Sequence, residues 1–169
     1  MANPLQQAQN ERHGASTMSA PRQYLTFALG DEMYGLDILH VQEIKGLVPI
    51  TPIPNTAAAI RGVMNLRGMI VPVVDLRRHL GLAAVEPGPF TVIIVVAVGG
   101  KTVGLIVDAV SDVLDIGDEA VQPAPELGGV LEARCLAGIA QHGESLIALL
   151  DVGETLRGVV SAAPAVSAP

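Results

Sequence analysis

The segment IRGVMNLRGMIVPVVDL, residues 60–76, sets two Arg-Gly pairs, Arg61-Gly62 and Arg67-Gly68, in a run that is otherwise nearly all apolar. A catalytic loop, a phosphate cradle and a hairpin turn all answer to such a pattern. The flanking aliphatic and β-branched residues favour two strands, IRGVMNL and MIVPVVDL, with Asn65-Leu66-Arg67-Gly68 at the turn. Gly68 then supplies the positive φ that a tight hairpin turn uses. Gly62, inside the first strand, marks a bulge or a close backbone approach, and Pro72, which cannot donate to a ladder, marks an edge position or a bulge. Asp75 ends the second strand as the N-cap of a short helix, LRRHL, which Gly81 closes.

Outward from this segment the chain reads as more short strands. QYLTFAL (23–29) and MYGLDI (33–38) flank a GDE turn, and TVIIVVAV (91–98) and TVGLIV (102–107) flank GGK. Strands at this spacing indicate small sandwiches or barrels rather than a βαβ sheet. Short helices are expected at 39–44, 75–80 and 152–157.

The two hairpins invite a self-comparison. With Gly35 opposite Gly104, YLTFALGDEMYGLDILHVQEI lies over IIVVAVGGKTVGLIVDAVSDV without a gap, and Glu43 meets Asp112. ITPIP (50–54) resembles VQPAP (121–125). With Gly62 opposite Gly138, the opening segment lies over LAGIAQHGESLIALLDV, and Asp75 meets Asp151. Three matches in one order indicate duplication. Each module, of roughly 65–70 residues, buries only ~60% of its chain surface alone, so the two must pack together. Needs of the fold are shared by both copies, so features of one copy are candidates for function. The second copy has Ala137 and Gly143 where the first has Arg61 and Arg67. Arg67 is the sharpest candidate, and it pairs with Glu43 if the hairpin tip lies beside that residue.

Composition narrows the function. Half of the 169 residues are hydrophobic, and the net charge is −7. An acidic chain with no Lys/Arg stripe does not suit nucleic acid, and four aromatics give no stacking platform. The single cysteine, Cys135, reads as a small core hydrophobe and fits a reducing cytoplasm. Residues 1–21 are polar, with no apolar core of a secretory signal. The uncharged runs Gly46–Ile60 and Pro87–Gly100 are too short to span a bilayer, so no membrane insertion is expected.

Catalytic patterns are missing. There is no G-x-x-x-x-G-K-[ST], no G-x-G-x-x-G and no G-x-S-x-G. His13, His40, His79 and His142 have no metal-ligand spacing. Two repeats ending in VVDL and LLDVG faintly suggest a hydrolase with an aspartate dyad, but no Asp is followed by Thr-Gly or Ser-Gly. The expectation is no catalytic residue, no metal and no cofactor.

Together, YLTFALGDEMYGLDILHVQEI, IPNTAAAIRGVMNLRGMIVPVVDLR, VGLIVDAVSDVLDI and LAGIAQHGESLIALLDV strongly resemble the CheW family of bacterial chemotaxis coupling proteins, over residues 22–157. The same fold forms the regulatory domain of the histidine kinase CheA and the front half of CheV, but this chain carries no kinase ATP-binding motif and no receiver domain. The resemblance implies a mainly β protein of two tandem SH3-like five-stranded β-barrels with short helices. The expected layout is a 22–157 domain between flexible tails at 1–21 and 158–169. Its first barrel would span 33–88 plus the chain ends, and its second 90–150. The implied role is a non-catalytic, cytoplasmic adaptor that couples methyl-accepting chemoreceptors to CheA in receptor arrays, reaching the membrane only through those arrays. The groove between the barrels would take the receptor's helical hairpin tip through Val41, Glu43, Ile44, Arg67, Val92 and Val110. The first barrel's outer face, at Ile38, Val41 and Gly62, would meet the CheA regulatory domain, with a second kinase-facing surface near Leu127. Other CheW copies in rings are further partners. Adaptors of this type also serve twitching motility or gene regulation, and the sequence does not separate these pathways.

Overall fold

Hairpins build the protein. The computed structural model describes residues 21–123, 135–157 and 159, with eleven strands and two short α-helices among them. The strands are β1 (Arg22–Leu29), β2 (Glu32–Asp37), β3 (Val41–Gly46), β4 (Ile60–Leu66), β5 (Met69–Asp75), β6 (Val92–Val98), β7 (Lys101–Val107), β8 (Ala109–Ile116), β9 (Val121–Gln122), β10 (Leu136–His142) and β11 (Ser145–Leu150). The helices are α1 (Leu76–His79) and α2 (Val152–Thr155), capped by Asp75 and Asp151. The tails expected at 1–21 and 158–169 fall outside the described residues apart from Pro21 and Val159.

The strands form two sheets, ordered β3-β6-β7-β5-β4 and β8-β1-β2-β11-β10-β9. These are the two expected barrels, but they do not divide the chain at residues 88–90. The β6–β7 hairpin of the second repeat completes the sheet of β3, β4 and β5, and the β1–β2 hairpin of the first completes the sheet of β8 to β11. Each repeat therefore lends its hairpin to the other's barrel, a correction to the expected division into 33–88 plus the chain ends and 90–150.

The internal repeat is exact in register. Val73 pairs in parallel with Gly104, and its counterpart Leu149 pairs in parallel with Gly35. β-Bulges fall at matching places, between Val41 and Glu43 opposite β6 and between Leu25 and Phe27 opposite β8. The Asp75 amide donates to the Ala59 carbonyl, and the Asp151 amide to that of Cys135. The Thr51–Val63 bridge matches the short β9–β10 ladder.

The exchange explains why the strongest strands are apolar on both faces. Ile93 and Val95 point into the first barrel with Met64, Val71 and Val73, and Tyr24 points into the second with Ile147 and Leu149. Their neighbours Leu25, Phe27, Leu36, Ile94, Val96, Val103 and Leu105 meet between the barrels in a larger cluster. Burial of so much aliphatic surface between the units, at ~25 cal/mol per Å2, is what lets two marginal barrels stand as one body. At the pseudo-twofold, the ring Nε2–H of His79 donates to the carbonyl of Thr155, its repeat counterpart.

Residues 39–44, expected as a helix, are a 3-10 turn over Ile38–His40 followed by β3. Val41, Glu43 and Lys45 alternate with exposed Gln42, Ile44 and Gly46, a period of two that the edge of a sheet stabilises through pairing with β6. Pro72 lies in a strand that is central by order. The ladder to β7 covers only Val73–Asp75, so at Pro72 that flank of β5 is open.

Candidate functional site

The β4–β5 turn fixes the position of Arg67. Leu66 pairs with Met69, leaving Arg67 and Gly68 as a two-residue loop with φ of +53° and +85°. Positive φ at both positions matches the strand twist, and the Gly68 amide donates to Asn65 Oδ1 at 2.8 Å. A non-glycine residue in this region costs about 1 kcal/mol. The second repeat puts Gly143 at the matching place, φ +62°, and avoids that cost.

Strands β3 and β4 are the two ends of their sheet, yet Arg67 Nη2 lies 2.6 Å from Glu43 Oε2 on β3. The pair joins the edges and shows the sheet curled back on itself. The Arg67 side chain is 75% exposed and that of Glu43 22%. So open an ion pair adds only ~0–1 kcal/mol, no more than the turn strain removes. Folding gains nothing from this arginine, and what remains is a rigidly held guanidinium facing solvent.

The other expected contact residues fall into three groups. Ile44 projects from the edge strand, 45% exposed. Ile38, Val41, Val92 and Val110 are partly buried and pack on the rim of the cluster between the barrels. Val41 and Val110 are repeat counterparts, each at its bulge, so they flank that cluster from opposite barrels. Gly62 is different. It is buried, with φ +143°, and a Cβ on it would sit 2.1 Å from the carbonyl oxygen of Thr51. It contributes no side chain or open surface for a kinase, and its role is to let the Thr51 segment close on β4. Leu127 lies outside the described residues.

Two surface features escaped sequence reasoning. Met69 and Ile70, beside Arg67, are exposed apolar residues, and Leu39 next to Ile38 is 87% exposed. The repeat carried a signal for Met69, because the second copy has polar Ser145 there. Leu39 likewise faces Asp108 in the repeat, an unshared apolar residue. The partly buried clamp of Arg77 also went unread. Its Nη1 meets Asp108 Oδ2 at 2.8 Å and its Nε donates to the Ala83 carbonyl at 2.9 Å, while the Gly30 amide donates to the same Asp108 oxygen.

The two aspartates weighed as a catalytic dyad cap separate helices. Asp75 Oδ1 accepts from the Arg77 amide, and Asp151 Oδ1 from that of Glu154. Among the described residues no group of His, Cys, Asp and Glu could hold a metal ion, and no helix is long and apolar enough to cross a membrane.

Two barrels locked through a common core, with a charged corner that adds nothing to folding and exposed apolar residues beside it, define a scaffold-type binding module. The chain belongs to the CheW family, whose CheW-like domain matches residues 23–160. It is 44% identical over 135 residues to the chemotaxis protein CheW of Klebsiella aerogenes, covering 80% of this chain and 81% of that protein. It is 40% identical over 131 residues to the probable chemotaxis protein CheW of Rhizobium etli, covering 78% and 84%. The crystal structure of the scaffolding protein TtCheW from Thermoanaerobacter tengcongensis superposes with a TM-score of 0.74 at 36% identity, covering 79% of this chain and 90% of that one. The barrels are thus SH3-like units of a known scaffold fold.

Proposed function

We propose that this protein is a non-catalytic chemotaxis adaptor of the cytoplasm that couples methyl-accepting receptors to the histidine kinase CheA in receptor arrays. The observation that carries this reading is Arg67, held in a strained turn and tied to Glu43 at no gain to folding. A receptor's helical tip lies along the rim formed by Val41, Val92 and Val110, with Ile44 as an apolar contact and the Arg67–Glu43 corner setting its orientation. The kinase regulatory domain takes the face at Ile38 and Val41, with Gly62 acting through the backbone it admits beside Thr51. A second kinase-facing surface lies near Leu127, and other copies join in rings.

Coupling, not chemistry, is the mechanism. The barrels share one core, so a partner on the rim and a partner on the outer face bind one rigid body. A change in receptor geometry is thereby passed to the kinase as a bias in affinity. Modest contacts, near or below ~800 Å2 per partner, suit an array that must stay adjustable. The capping roles of Asp75 and Asp151 support the absence of a dyad. In pulldown with a receptor cytoplasmic fragment, Arg67→His and Glu43→Lys are expected to weaken capture while the melting temperature stays unchanged. Full capture by both variants would refute the reading.

A further inference from the structure

The charged corner has a counterpart in the second barrel that lacks half of it. In the first barrel Glu43 and Ile44 lie on β3, and Arg67 reaches Glu43 from the turn that precedes Ile70. In the repeat, Asp112 and Val113 on β8 stand for Glu43 and Ile44, and Gly143 and Leu146 for Arg67 and Ile70. The carboxylate and both apolar residues are kept, and Ile44, Ile70, Val113 and Leu146 are all exposed. Only the guanidinium is missing. Among the described residues no Lys, Arg or His pairs with Asp112, whose exposed side chain meets only the Ser111 hydroxyl, at 3.4 Å. Glu144, in the two-residue turn with Gly143, adds a second exposed carboxylate.

Asp112 is nevertheless held in place. The buried Thr26 hydroxyl donates to the Asp112 carbonyl at 2.9 Å and accepts from the Asp112 amide at 3.0 Å. The first barrel has Val95 where the second has Thr26, and its bulge before Glu43 forms without a hydroxyl there. Fixing this backbone with a core threonine is thus no requirement of the repeat and, like Arg67, is a feature of one copy. At the other corner a guanidinium carries five N–H donors, and Glu43 meets Arg67 at Nη2 while most of the arginine faces solvent. The two corners carry the same apolar pair and present opposite charges.

We propose that the Arg67 corner of one copy of this chain docks on the Asp112 corner of a second copy. Arg67 of the first copy gives Asp112 of the second the cation that Gly143 does not, and Ile44 and Ile70 of the one lie against Val113 and Leu146 of the other. The contact joins unlike surfaces, so each pair keeps one free corner of either kind and further copies add head to tail. A receptor tip on Arg67 would displace the second copy. The docking itself does not rest on the receptor reading, and its test contains no receptor.

Sedimentation velocity of the full chain, from about 10 µM to about 1 mM, tests this. The parent chain is expected to associate reversibly, and less so as salt is raised. Arg67→Glu and Asp112→Ala each remove one corner, and their melting curves check their folds. Each alone is expected to associate at least ~10-fold more weakly than the parent. Mixed in equal amounts they are expected to form a 1:1 dimer and nothing larger, because one intact corner of each kind remains, on different chains. A parent chain that stays monomeric at about 1 mM, single variants that associate like the parent, or a mixture no more associated than its parts would each overturn the proposal.

Discussion

Replacing Arg67 with glycine tests whether the charged corner serves the fold or a partner. Three terms set the stability change. Glycine removes the left-handed strain at φ +53°, a gain of about 1 kcal/mol. It adds freedom to the unfolded chain, a loss of ~0.4–1 kcal/mol. It deletes an ion pair whose arginine is 75% exposed, a loss of ~0–1 kcal/mol. The terms nearly cancel, so stability should move by about 1 kcal/mol or less, a shift of ~2–4 °C for a chain of this size. Binding has no such compensation. An arginine at the centre of a contact typically costs ~2 kcal/mol or more when removed, about a 30-fold loss of receptor affinity. Differential scanning calorimetry and titration against a receptor cytoplasmic fragment measure both quantities on one preparation. A melting temperature lower by more than ~8 °C would make the arginine structural, and receptor affinity within twofold of the parent would remove it from the interface.

Other perturbations separate the remaining roles. Gly62→Ala drives a methyl into the Thr51 carbonyl and should cost at least ~3 kcal/mol in urea unfolding, whereas Gly68→Ala, with open space around it, should cost only about 1 kcal/mol of backbone strain. Equal losses at the two glycines would refute the close-approach argument. Burial, reinforced by the Glu32 carboxylate at 3.2 Å, pushes the Tyr34 phenol up to about 12. The neutral phenol is the form the fold favours, so its contribution is complete below pH ~10 and is lost as pH rises through about 12, by at most ~2–3 kcal/mol. Tyr34→Phe should flatten that alkaline loss, measured by unfolding on either side of pH ~10, and an unchanged slope would count against it. Arg77→Ala leaves Asp108 and the Ala83 carbonyl without their guanidinium and should cost ~2–3 kcal/mol with little dependence on salt, since the Arg77 side chain is only 14% exposed. A salt-sensitive or negligible loss would reduce the clamp to a surface pair.

Much of this was readable from residue pattern. The Asn65–Gly68 turn, the bulge at Gly62, the Asp75 cap and the duplication follow from backbone rules that act within a few residues, and all are present in the structure. The contact between Arg67 and Glu43 was readable only as a pairing of unshared and shared residues, because 24 positions of chain separate them and only the curl of the sheet brings them together. The surface at Met69 and Leu39 was hidden for the opposite reason. An apolar residue in a strand-rich chain reads as core until the face it occupies is known. The segment at 39–44 was misread because its apolar spacing fits one turn of helix as well as an edge strand, and only pairing with β6 decides between them.

That misreading concealed the exchange of hairpins, which the sequence does in fact dictate. Both repeats carry the same pairing residues, so register cannot say whether a hairpin joins its own barrel or its neighbour's. The connections can. In either sheet the strand beside the hairpin's first strand runs parallel to the hairpin's second, as β3 does to β7 and β8 to β2, and in the chain that strand follows the other repeat's hairpin. Within a single repeat, the chain leaving β2 would have to return along a strand of ~20 Å and cross ~10 Å of sheet before starting β3. The link is three residues, Ile38–His40, with a reach of ~14 Å, and in the second repeat it is Asp108 alone, with ~7 Å. Neither can make a parallel crossover, which takes a dozen residues or more. The hairpin must therefore enter the other barrel, and both barrels must fold together. The rim that carries Val41 on one barrel and Val110 on the other exists because a one-residue and a three-residue link are too short to allow anything else.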